Sequence, residues 1–231
     1  MTDSVKPRVH YWHPHEPVRA LALEAARGAA RVLEIGPGDL PFPLATEFVD
    51  WLPRPAVEGR PVHVLDLNID RLPFPDQSID FLYTRHTLED LYNPLHACRE
   101  IARVARAGYI ETPSPLAESC RGVDASSPPW RGYVHHHSLL WAEAGRLILL
   151  LKIPLIEHLI FGNEHQIAGL LESSPIYWNT CFFWTGPLQF QLLQHDRDFS
   201  LADLQHGYGS LVLRGMYHAV EDSRRLAARL A

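Results

Sequence analysis

Short apolar runs, separated by turns and helical segments, make up the first half of the chain. Five of them, each four to seven residues long, occupy residues 31–35, 46–50, 61–67, 78–84 and 109–112. Their length and their content of Val, Ile, Leu and Phe predict buried β-strands. Strands that alternate with helices or loops form parallel sheets. We therefore expect an α/β protein with one mostly parallel sheet and a ligand crevice at the carboxyl ends of its strands.

Two segments, residues 16–27 and 93–107, have helical periodicity. Each has a proline in its first turn and a glycine directly after its last turn, which are the preferred positions of these residues in a helix. Asn93 is also an expected N-cap, because its side-chain oxygen can accept a hydrogen bond from the first turn. We predict one helix before the first strand and one between the fourth and fifth strands.

The second half of the chain has weaker patterns. The proline-containing residues 113–129 predict a long loop, whereas the apolar residues 141–151 fit either a helix or a strand. Two apolar runs around a Thr-Gly-Pro turn predict an antiparallel hairpin of residues 178–184 and 188–193. Short helices are predicted at residues 200–205 and 219–230.

The first predicted strand ends in a turn that contains Gly36 and Gly38. Glycine permits positive φ angles and lets backbone N–H groups come close to a ligand. A dinucleotide-binding unit would continue into a helix whose N-terminus holds the phosphates. Here Pro41 and Pro43 follow, and the next predicted strand ends at Asp50, 12 residues after Gly38. This reduced helix disfavours NAD and FAD and favours a nucleoside ligand without phosphates.

Composition narrows the class of partner. The 231 residues include 21 Lys and Arg against 27 Asp and Glu, for a net charge of −6, and no dense basic run disturbs this balance. Nucleic acid is therefore disfavoured as a partner. The three cysteines are far apart, which favours a reduced compartment without a disulfide framework. No signal peptide or membrane span is expected, so we predict a cytoplasmic protein that does not bind membranes.

Four motifs occur in order in the first half of the chain. They are Val-Leu-Glu-Ile-Gly-Pro-Gly at 32–38, Leu-Pro-Phe-Pro-Asp-Gln-Ser-Ile-Asp-Phe at 72–81, His-Thr-Leu-Glu-Asp-Leu at 86–91 and Cys-Arg-Glu-Ile-Ala-Arg-Val at 98–104. In this order and spacing they resemble the class I S-adenosylmethionine-dependent methyltransferases, most closely the small bacterial type 11 group. The resemblance implies a Rossmann-like, mostly parallel sheet with a C-terminal antiparallel hairpin, here with a reduced helix after the first strand.

The resemblance also implies an organisation of the chain and a cofactor. We expect a single domain, residues 1–231, with a cofactor-binding core at 31–112 and a substrate-cap insertion at 113–175. S-adenosyl-L-methionine is the implied cofactor, and the turn after the first strand would hold its amino-acid end. The residues implied to contact it are Glu34, Gly36, Gly38, Asp50, Asp66, Leu67 and His86.

Two acidic residues compete for the ribose of that cofactor. We favour Asp50, because a carboxylate offers two acceptor oxygens to the two hydroxyls and the strand before it is well formed. Asp66, with Leu67, would then face the adenine. In the other register Asp66 holds the ribose and Asp50 is a loop acid, and a third interpretation makes Asp66 a turn cap. The sequence departs from the family at Leu40, where the third glycine of the motif is expected.

Beyond the fifth strand the resemblance fades, and an aromatic and basic cluster, Trp-Arg-Gly-Tyr-Val-His-His-His, follows. Such groups can stack on, hydrogen-bond or deprotonate a small substrate, although a solvent-facing histidine run is the other interpretation. In an extended segment His135 and His137 share one side and His136 the other. We favour His136, with Tyr133 and Arg131, as pocket residues. Three consecutive histidines are awkward zinc ligands, so no metal is expected.

Histidines and aromatic residues also cluster at residues 9–15. We interpret this segment as an N-terminal arm packed by its aromatic side chains or as a lid over a ligand pocket. The spacing of its histidines within a proline-containing loop is not typical of metal ligands.

The expected reaction is in-line transfer of a methyl group from the sulfonium to a small molecule. Alignment of the reactants and removal of a proton are then the main tasks of the protein. His136, His86 and Glu111 are candidate bases and Tyr133 a further catalytic candidate; the sequence does not choose among them. The alternatives are a lyase or cyclase that consumes S-adenosylmethionine and a non-catalytic module that binds it or S-adenosylhomocysteine. The sequence gives no oligomeric state.

Overall fold

Nine strands and five α-helices form the part of the chain described by the computed structural model, residues 13–53, 57, 59–162, 164–194 and 201–231. The strands are β1 (Val32–Ile35), β2 (Glu47–Asp50), β3 (Val62–Val64), β4 (Phe81–Arg85), β5 (Ala107–Pro113), β6 (Ser138–Glu143), β7 (Arg146–Leu151), β8 (Asn179–Thr185) and β9 (Phe190–Leu193). The helices are α1 (Glu16–Ala25), α2 (Pro94–Val104), α3 (Pro115–Ser119), α4 (Glu164–Ser173) and α5 (Leu201–Leu230).

Six strands form the main sheet in the order β3-β2-β1-β4-β5-β8. The first five are parallel to their neighbours, and β8 is antiparallel to β5. The prediction of a mostly parallel α/β sheet is therefore confirmed. The chain order reverses at β1, which lies between β2 and β4. Ligands of open parallel sheets bind outside the carboxyl ends of the strands at such a switch point.

Alternation along the strands gives the main sheet two apolar faces, because successive side chains point to opposite sides. Leu33 and Leu82 belong to the core that contains α2, whereas Val32 and Phe48 belong to the core that contains α1. The predicted cap of α2 is confirmed, since the Asn93 side chain accepts a hydrogen bond from the N–H of the third helical residue at 3.3 Å.

The connection between β1 and β2, residues 36–46, contains no helix, as the prolines predict. The ring of Phe42 fills part of the space and stacks on Tyr83 with a centroid distance of 4.0 Å. The backbone N–H of Phe42 donates to the Glu34 carboxyl group at 2.7 Å. An aromatic ring and a buried acid thus stabilise this connection in place of a helix.

A second sheet consists of β6, β7 and β9. Residues 141–151, which the sequence left undecided, lie in the antiparallel pair of β6 and β7. The turn between them is formed by Ala144 and Gly145, with φ angles of 49° and 77°. Two residues with positive φ match the twist of a tight hairpin.

The predicted hairpin of residues 178–184 and 188–193 is wrong, although both strands exist. β8 pairs with β5 over seven residue pairs, whereas β9 pairs in parallel with β7. The edge of β5 offers β8 a long row of backbone hydrogen-bonding groups, so β8 pairs there and the chain then enters the second sheet. That sheet therefore includes a strand from outside the predicted insertion at 113–175.

Three helical features differ from the predictions. The predicted loop at 113–129 contains α3, capped by the Ser114 side chain, and α4 was not predicted. A single helix of 30 residues, α5, replaces the two short ones. Its glycines lower helix propensity but allow close packing, because a Cβ on Gly215 would lie 3.0 Å from the Trp141 ring. Among the described residues, no helix combines the length and the apolar character that a membrane span requires.

Candidate active site

A row of polar side chains lies at the carboxyl edge of the main sheet. Asp50 is in β2, Glu34 in β1, Arg85 in β4 and Glu111 in β5. Each of these four residues follows, two positions later, a strand residue that belongs to the core containing α1. Residues two positions apart in a strand point to the same side, so all four side chains project from the sheet face that packs against α1. The core residues in question are Phe48, Val32, Tyr83 and Tyr109. The face that packs against α1 thus becomes charged where the strands end.

The turn after β1 has backbone angles that favour glycine, with φ of 68° at Gly36 and 51° at Gly38. A Cβ on Gly36 would collide with the hydroxyl group of Thr87, so the turn packs against the segment that follows β4. A Cβ on Gly38 would meet no atom within 4 Å. Open space therefore borders the turn at Gly38, and the contact of this turn with the amino-acid end of the cofactor stays a prediction.

Asp50 lies next to this turn because β1 and β2 are parallel neighbours, with Ile35 opposite Val49. The residue is 5% exposed, and one carboxylate oxygen accepts a hydrogen bond from the N–H of Leu52 at 3.1 Å. A carboxylate at the switch point of the sheet suits a ribose. Its contact with the cofactor stays a prediction.

Asp66 has a different environment and is exposed. Its carboxylate accepts hydrogen bonds from the backbone N–H and the side-chain amide of Asn68, at 2.9 and 2.8 Å. These are the contacts of a turn-capping aspartate. The adjacent Leu67 is buried in the core that contains α2. The adenine contacts predicted for both residues stay predictions.

Glu34 is buried, with 3% exposure, beneath the turn. Burial raises the pKa of its carboxyl group to about 8, although the hydrogen bond from Phe42 and the charge of Arg85 partly offset this effect. The carboxyl group is therefore mainly neutral at pH 7, which lowers the cost of its burial. Glu34 supports the turn from inside, and its predicted contact with the cofactor stays a prediction.

Glu111 is at the centre of a buried cluster at the end of β5. It accepts hydrogen bonds from the Arg85 guanidinium at 2.8 Å, from the Asn179 amide at 3.0 Å and from the Tyr109 hydroxyl. Burial opposes ionisation, but the hydrogen bond from His86 and the charge of Arg85 outweigh it and lower the pKa of Glu111 to about 2. Such a carboxylate is a weak base.

His86 follows β4 with a φ of 50°, in the left-handed region. Its Nδ1 lies 3.2 Å from the Glu89 carboxylate and its Nε2 3.5 Å from the Glu111 carboxylate. Burial alone would lower the pKa of His86, but the hydrogen bonds to Glu111 and Glu89 raise it to about 9. The imidazole is therefore positively charged at neutral pH, with a hydrogen bond from Nδ1 to Glu89 and an ion pair between Nε2 and Glu111. In this state it is not poised to act as a base.

A second buried cluster surrounds Glu118 of α3, in the predicted cap. Glu118 accepts hydrogen bonds from Nδ1 of His136 at 2.7 Å and from Nζ of Lys152 at 2.5 Å. Lys152 donates further to the carbonyls of Arg131 and Tyr133, at 3.0 and 2.7 Å. Burial alone would lower the pKa of His136, but the charge of Glu118 outweighs it and raises the pKa. The cluster thus fixes the orientation of the His136 ring.

Arg131 has structural contacts. Its guanidinium donates to the carbonyls of Ser119 and Leu159, at 2.5 and 3.0 Å, and to Glu164 at 2.5 Å. It also lies 4.8 Å from the centroid of the Phe161 ring. Arg131 therefore holds α3 and α4 together. These contacts give it a structural task, and its predicted place in the acceptor pocket stays a prediction.

A single turn of 3-10 helix, Leu88–Asp90, connects the two clusters. Glu89 contacts His86 through its side chain and accepts a hydrogen bond from the N–H of His137 at 2.6 Å. Asp90 Oδ1 lies 3.7 Å from Nε2 of His136. Partial burial of the carboxylate and the charge of Glu89 raise the pKa of Asp90 to about 6, although 45% of the side chain is exposed. The cap is thus in direct contact with the segment that follows β4.

Several residues of these clusters were missed from the sequence. Glu118 had a usable signal, because the Ser-Pro pair before it is a helix start and Ser114 caps α3. Lys152 directly follows the five apolar residues 147–151, and a charge there indicates a buried partner. Nothing in the sequence around Asn179 indicated a place in the cluster, because only the pairing of β8 with β5 brings it to Glu111. Residues 9–12 of the predicted N-terminal arm lie outside the described residues.

Known proteins resemble this chain in sequence. Residues 39–110 match the family model described as a methyltransferase domain. An uncharacterized methyltransferase of Schizosaccharomyces pombe is 23% identical, and the match covers 85% of this chain and 79% of that protein.

Solved structures also show similarity to part of this chain. The YcgJ protein from Bacillus subtilis is 23% identical, with a TM-score of 0.33, over 43% of this chain and 52% of that one. The S-adenosylmethionine dependent methyltransferase from Mesorhizobium loti is 15% identical, with a TM-score of 0.38, over 59% of this chain and 62% of that one. The matches thus span between half and two thirds of these solved chains.

Proposed function

We propose that this chain, whose residues 39–110 match the methyltransferase domain family, is a class I methyltransferase that transfers a methyl group from S-adenosylmethionine to a small-molecule acceptor. One observation carries the proposal: the Gly36–Gly38 turn and the Asp50 carboxylate lie side by side on neighbouring parallel strands. The bound cofactor supplies an activated methyl group. The chain itself has to align the acceptor with it and take up a proton.

In this proposal the turn faces the amino-acid end of the cofactor, and Asp50 accepts hydrogen bonds from the ribose hydroxyls. The absence of a helix in residues 36–46 supports a nucleoside cofactor. A helix N-terminus is the usual seat of a pyrophosphate, and this connection does not provide one. Glu34 would act from inside the turn by fixing its shape through the hydrogen bond from Phe42.

The proton of the acceptor is assigned to His136. Of the three candidate bases, Glu111 is held ionised as a weak base, and both ring nitrogens of His86 face buried carboxylates. Burial alone would lower the pKa of His136, but the charge of Glu118 outweighs it and raises this pKa as well, so His136 would accept the proton in its neutral form. His136 instead directs Nε2 toward Asp90, which is exposed, at 3.7 Å. Glu118 fixes the ring through Nδ1, and the ring of Tyr133 lies 4.8 Å from it, centroid to centroid. Tyr133 would thus help to shape the acceptor side.

Calorimetric titration with S-adenosylmethionine and S-adenosylhomocysteine tests the cofactor site. Asp50→Asn is expected to weaken binding of both at least about tenfold, since a charged hydrogen bond is worth about 1.5–3 kcal/mol. Asp66→Asn tests the other register and is expected to have the smaller effect. Asp76→Asn is a control, because this exposed acid pairs with Arg103. Failure of the unmodified protein to bind either compound would refute the proposal.

Product analysis then tests the reaction. Protein incubated with S-adenosylmethionine and no acceptor is expected to leave the compound intact, because methyl transfer needs a second substrate. Formation of methylthioadenosine under these conditions, detected by mass spectrometry, would replace methyl transfer with a lyase or cyclase reaction. Binding without turnover in the presence of a library of small amines, phenols and acids would support the non-catalytic alternative.

A further inference from the structure

The three consecutive histidines do not share a common environment. Residues 133–136 form a turn, in which the N–H of His136 donates to the carbonyl of Tyr133 at 3.2 Å. The segment is therefore not extended, and His135 and His136 converge with ring centroids 4.4 Å apart. His137 points elsewhere and stacks on Tyr92, with a centroid distance of 4.0 Å. The expectation that His135 and His137 share one side is wrong because of this turn.

His135 and His136 both face one carboxylate. Nε2 of His136 lies 3.7 Å, and Nε2 of His135 3.8 Å, from Oδ1 of Asp90. The three donor atoms lie within 4.8 Å of one another. A tetrahedral ion with ligand bonds of about 2.1 Å requires donors about 3.4 Å apart. Small rotations of the two exposed side chains, Asp90 and His135, would bring the set to this spacing.

The surroundings of His136 match those of a metal ligand. Its Nδ1 is engaged by the buried Glu118 carboxylate at 2.7 Å, which leaves Nε2 as the nitrogen that faces Asp90. Metal-binding histidines commonly donate their second N–H to a carboxylate, because this fixes the ring and increases its basicity. Lys152 and α3 hold Glu118 in turn. One ligand of the set is therefore rigid and preorganised, whereas two can adjust.

From this geometry we infer that Asp90, His135 and His136 bind one divalent transition-metal ion. Two imidazoles and one carboxylate suit ions such as Zn²⁺ and leave at least one coordination position open. Only two of the three consecutive histidines take part, so the steric difficulty of three adjacent ligands does not arise. Binding of the ion does not require methyl transfer, although both would use His136. A metal on Nε2 of His136 would exclude proton uptake by that atom, so metal and acceptor chemistry would compete there.

Titration of the full chain with Co²⁺, followed by visible absorption, tests the inference. One equivalent is expected to give the bands of a low-symmetry Co²⁺ site, and Zn²⁺ is expected to abolish them. His135→Ala and Asp90→Asn are each expected to weaken binding at least about tenfold, and Glu118→Gln, which removes the supporting carboxylate, about tenfold. His137→Ala is the matched control and is expected to leave the affinity unchanged, because its ring lies on Tyr92.

Three results would overturn the inference. They are the absence of saturable Co²⁺ bands, an equal loss with His137→Ala and His135→Ala, and binding that persists in Asp90→Asn. Circular dichroism of each variant separates loss of the site from loss of the fold, and Asp90 and His135 are exposed, so their substitution should leave the fold intact. Each variant is also titrated with S-adenosylhomocysteine. Unchanged binding of that compound shows that a loss of Co²⁺ affinity concerns the metal site and not the proposed cofactor site.

Discussion

Replacement of Glu34 by glutamine should make the stability of the protein less dependent on pH. Burial raises the pKa of this carboxyl group from 4.5 to about 8 in the folded state. The unfolded chain therefore releases the proton at lower pH than the folded protein does. The stabilisation by the neutral group is complete below pH 4.5 and is lost as the pH rises to about 8, because ionisation favours the unfolded state in this range.

The size of the effect follows from the shift. At about 1.4 kcal/mol per pH unit, the interval from 4.5 to about 8 corresponds to about 5 kcal/mol, of which about 3 kcal/mol is lost by pH 7. Glutamine is neutral at every pH and keeps an oxygen for the N–H of Phe42. Glu34→Gln should therefore match the unmodified protein at low pH and exceed its stability by several kcal/mol at pH 8.

Urea unfolding at pH values between 5 and 9, followed by tryptophan fluorescence, measures this difference. Glu100→Gln is the control, because the pKa of Glu100 is shifted in the opposite direction: the hydrogen bond from Arg103 lowers it. Glu100 is ionised in both states above about pH 6, so this variant should differ from the unmodified protein by a constant amount in that range. A constant difference for Glu34→Gln between pH 5 and 9 would refute the reasoning.

Three further outcomes are expected. Gly132→Ala should lower the free energy of unfolding by at least about 3 kcal/mol, because a Cβ there would lie 2.6 Å from the backbone of α3. Gly122→Ala is the control and should lower it by about 1 kcal/mol, because a Cβ there would meet no atom within 4 Å; urea unfolding measures both. Lys152→Met should cost about 3 kcal/mol by the same assay, and Arg225→Ala, in an exposed pair, less than about 0.5 kcal/mol. Burial raises the pKa of Cys98 to about 12, so iodoacetamide at pH 8 should label it, by peptide mass spectrometry, only after unfolding.

The sequence predicted the features that depend on neighbouring residues. The strand before Gly36, the prolines that exclude a helix after it and the Asn93 cap are local signals, and each of them is confirmed. Local signals suffice there because turn angles and helix caps involve residues only a few positions apart. The same reasoning brought Glu34 and Asp50 to one edge of the sheet.

Features that depend on distant partners were not predicted. The apolar run that became β9 fits several partner strands equally well, and its pairing with β7 depends on how the whole cap folds. The two buried ion clusters join residues of separate elements, such as Glu118 and Lys152, which are 34 positions apart. Two short helices were predicted where α5 is one helix, and the contact of Gly215 with Trp141 depends on the folded second sheet.

The separation of β8 and β9 into different sheets has a consequence for the order of folding. Most pairs of the main sheet join strands that are close along the chain, and the pair of β6 and β7 is a local hairpin. The pair of β5 and β8 joins the most distant strands of the main sheet, whereas β9 pairs with β7 across a shorter stretch of chain. Pairs between distant segments form late, since their loop-closure entropy is not offset until then. Attachment of β8 to the main sheet should therefore be a late step, and the short connection to β9 ties it to closure of the second sheet.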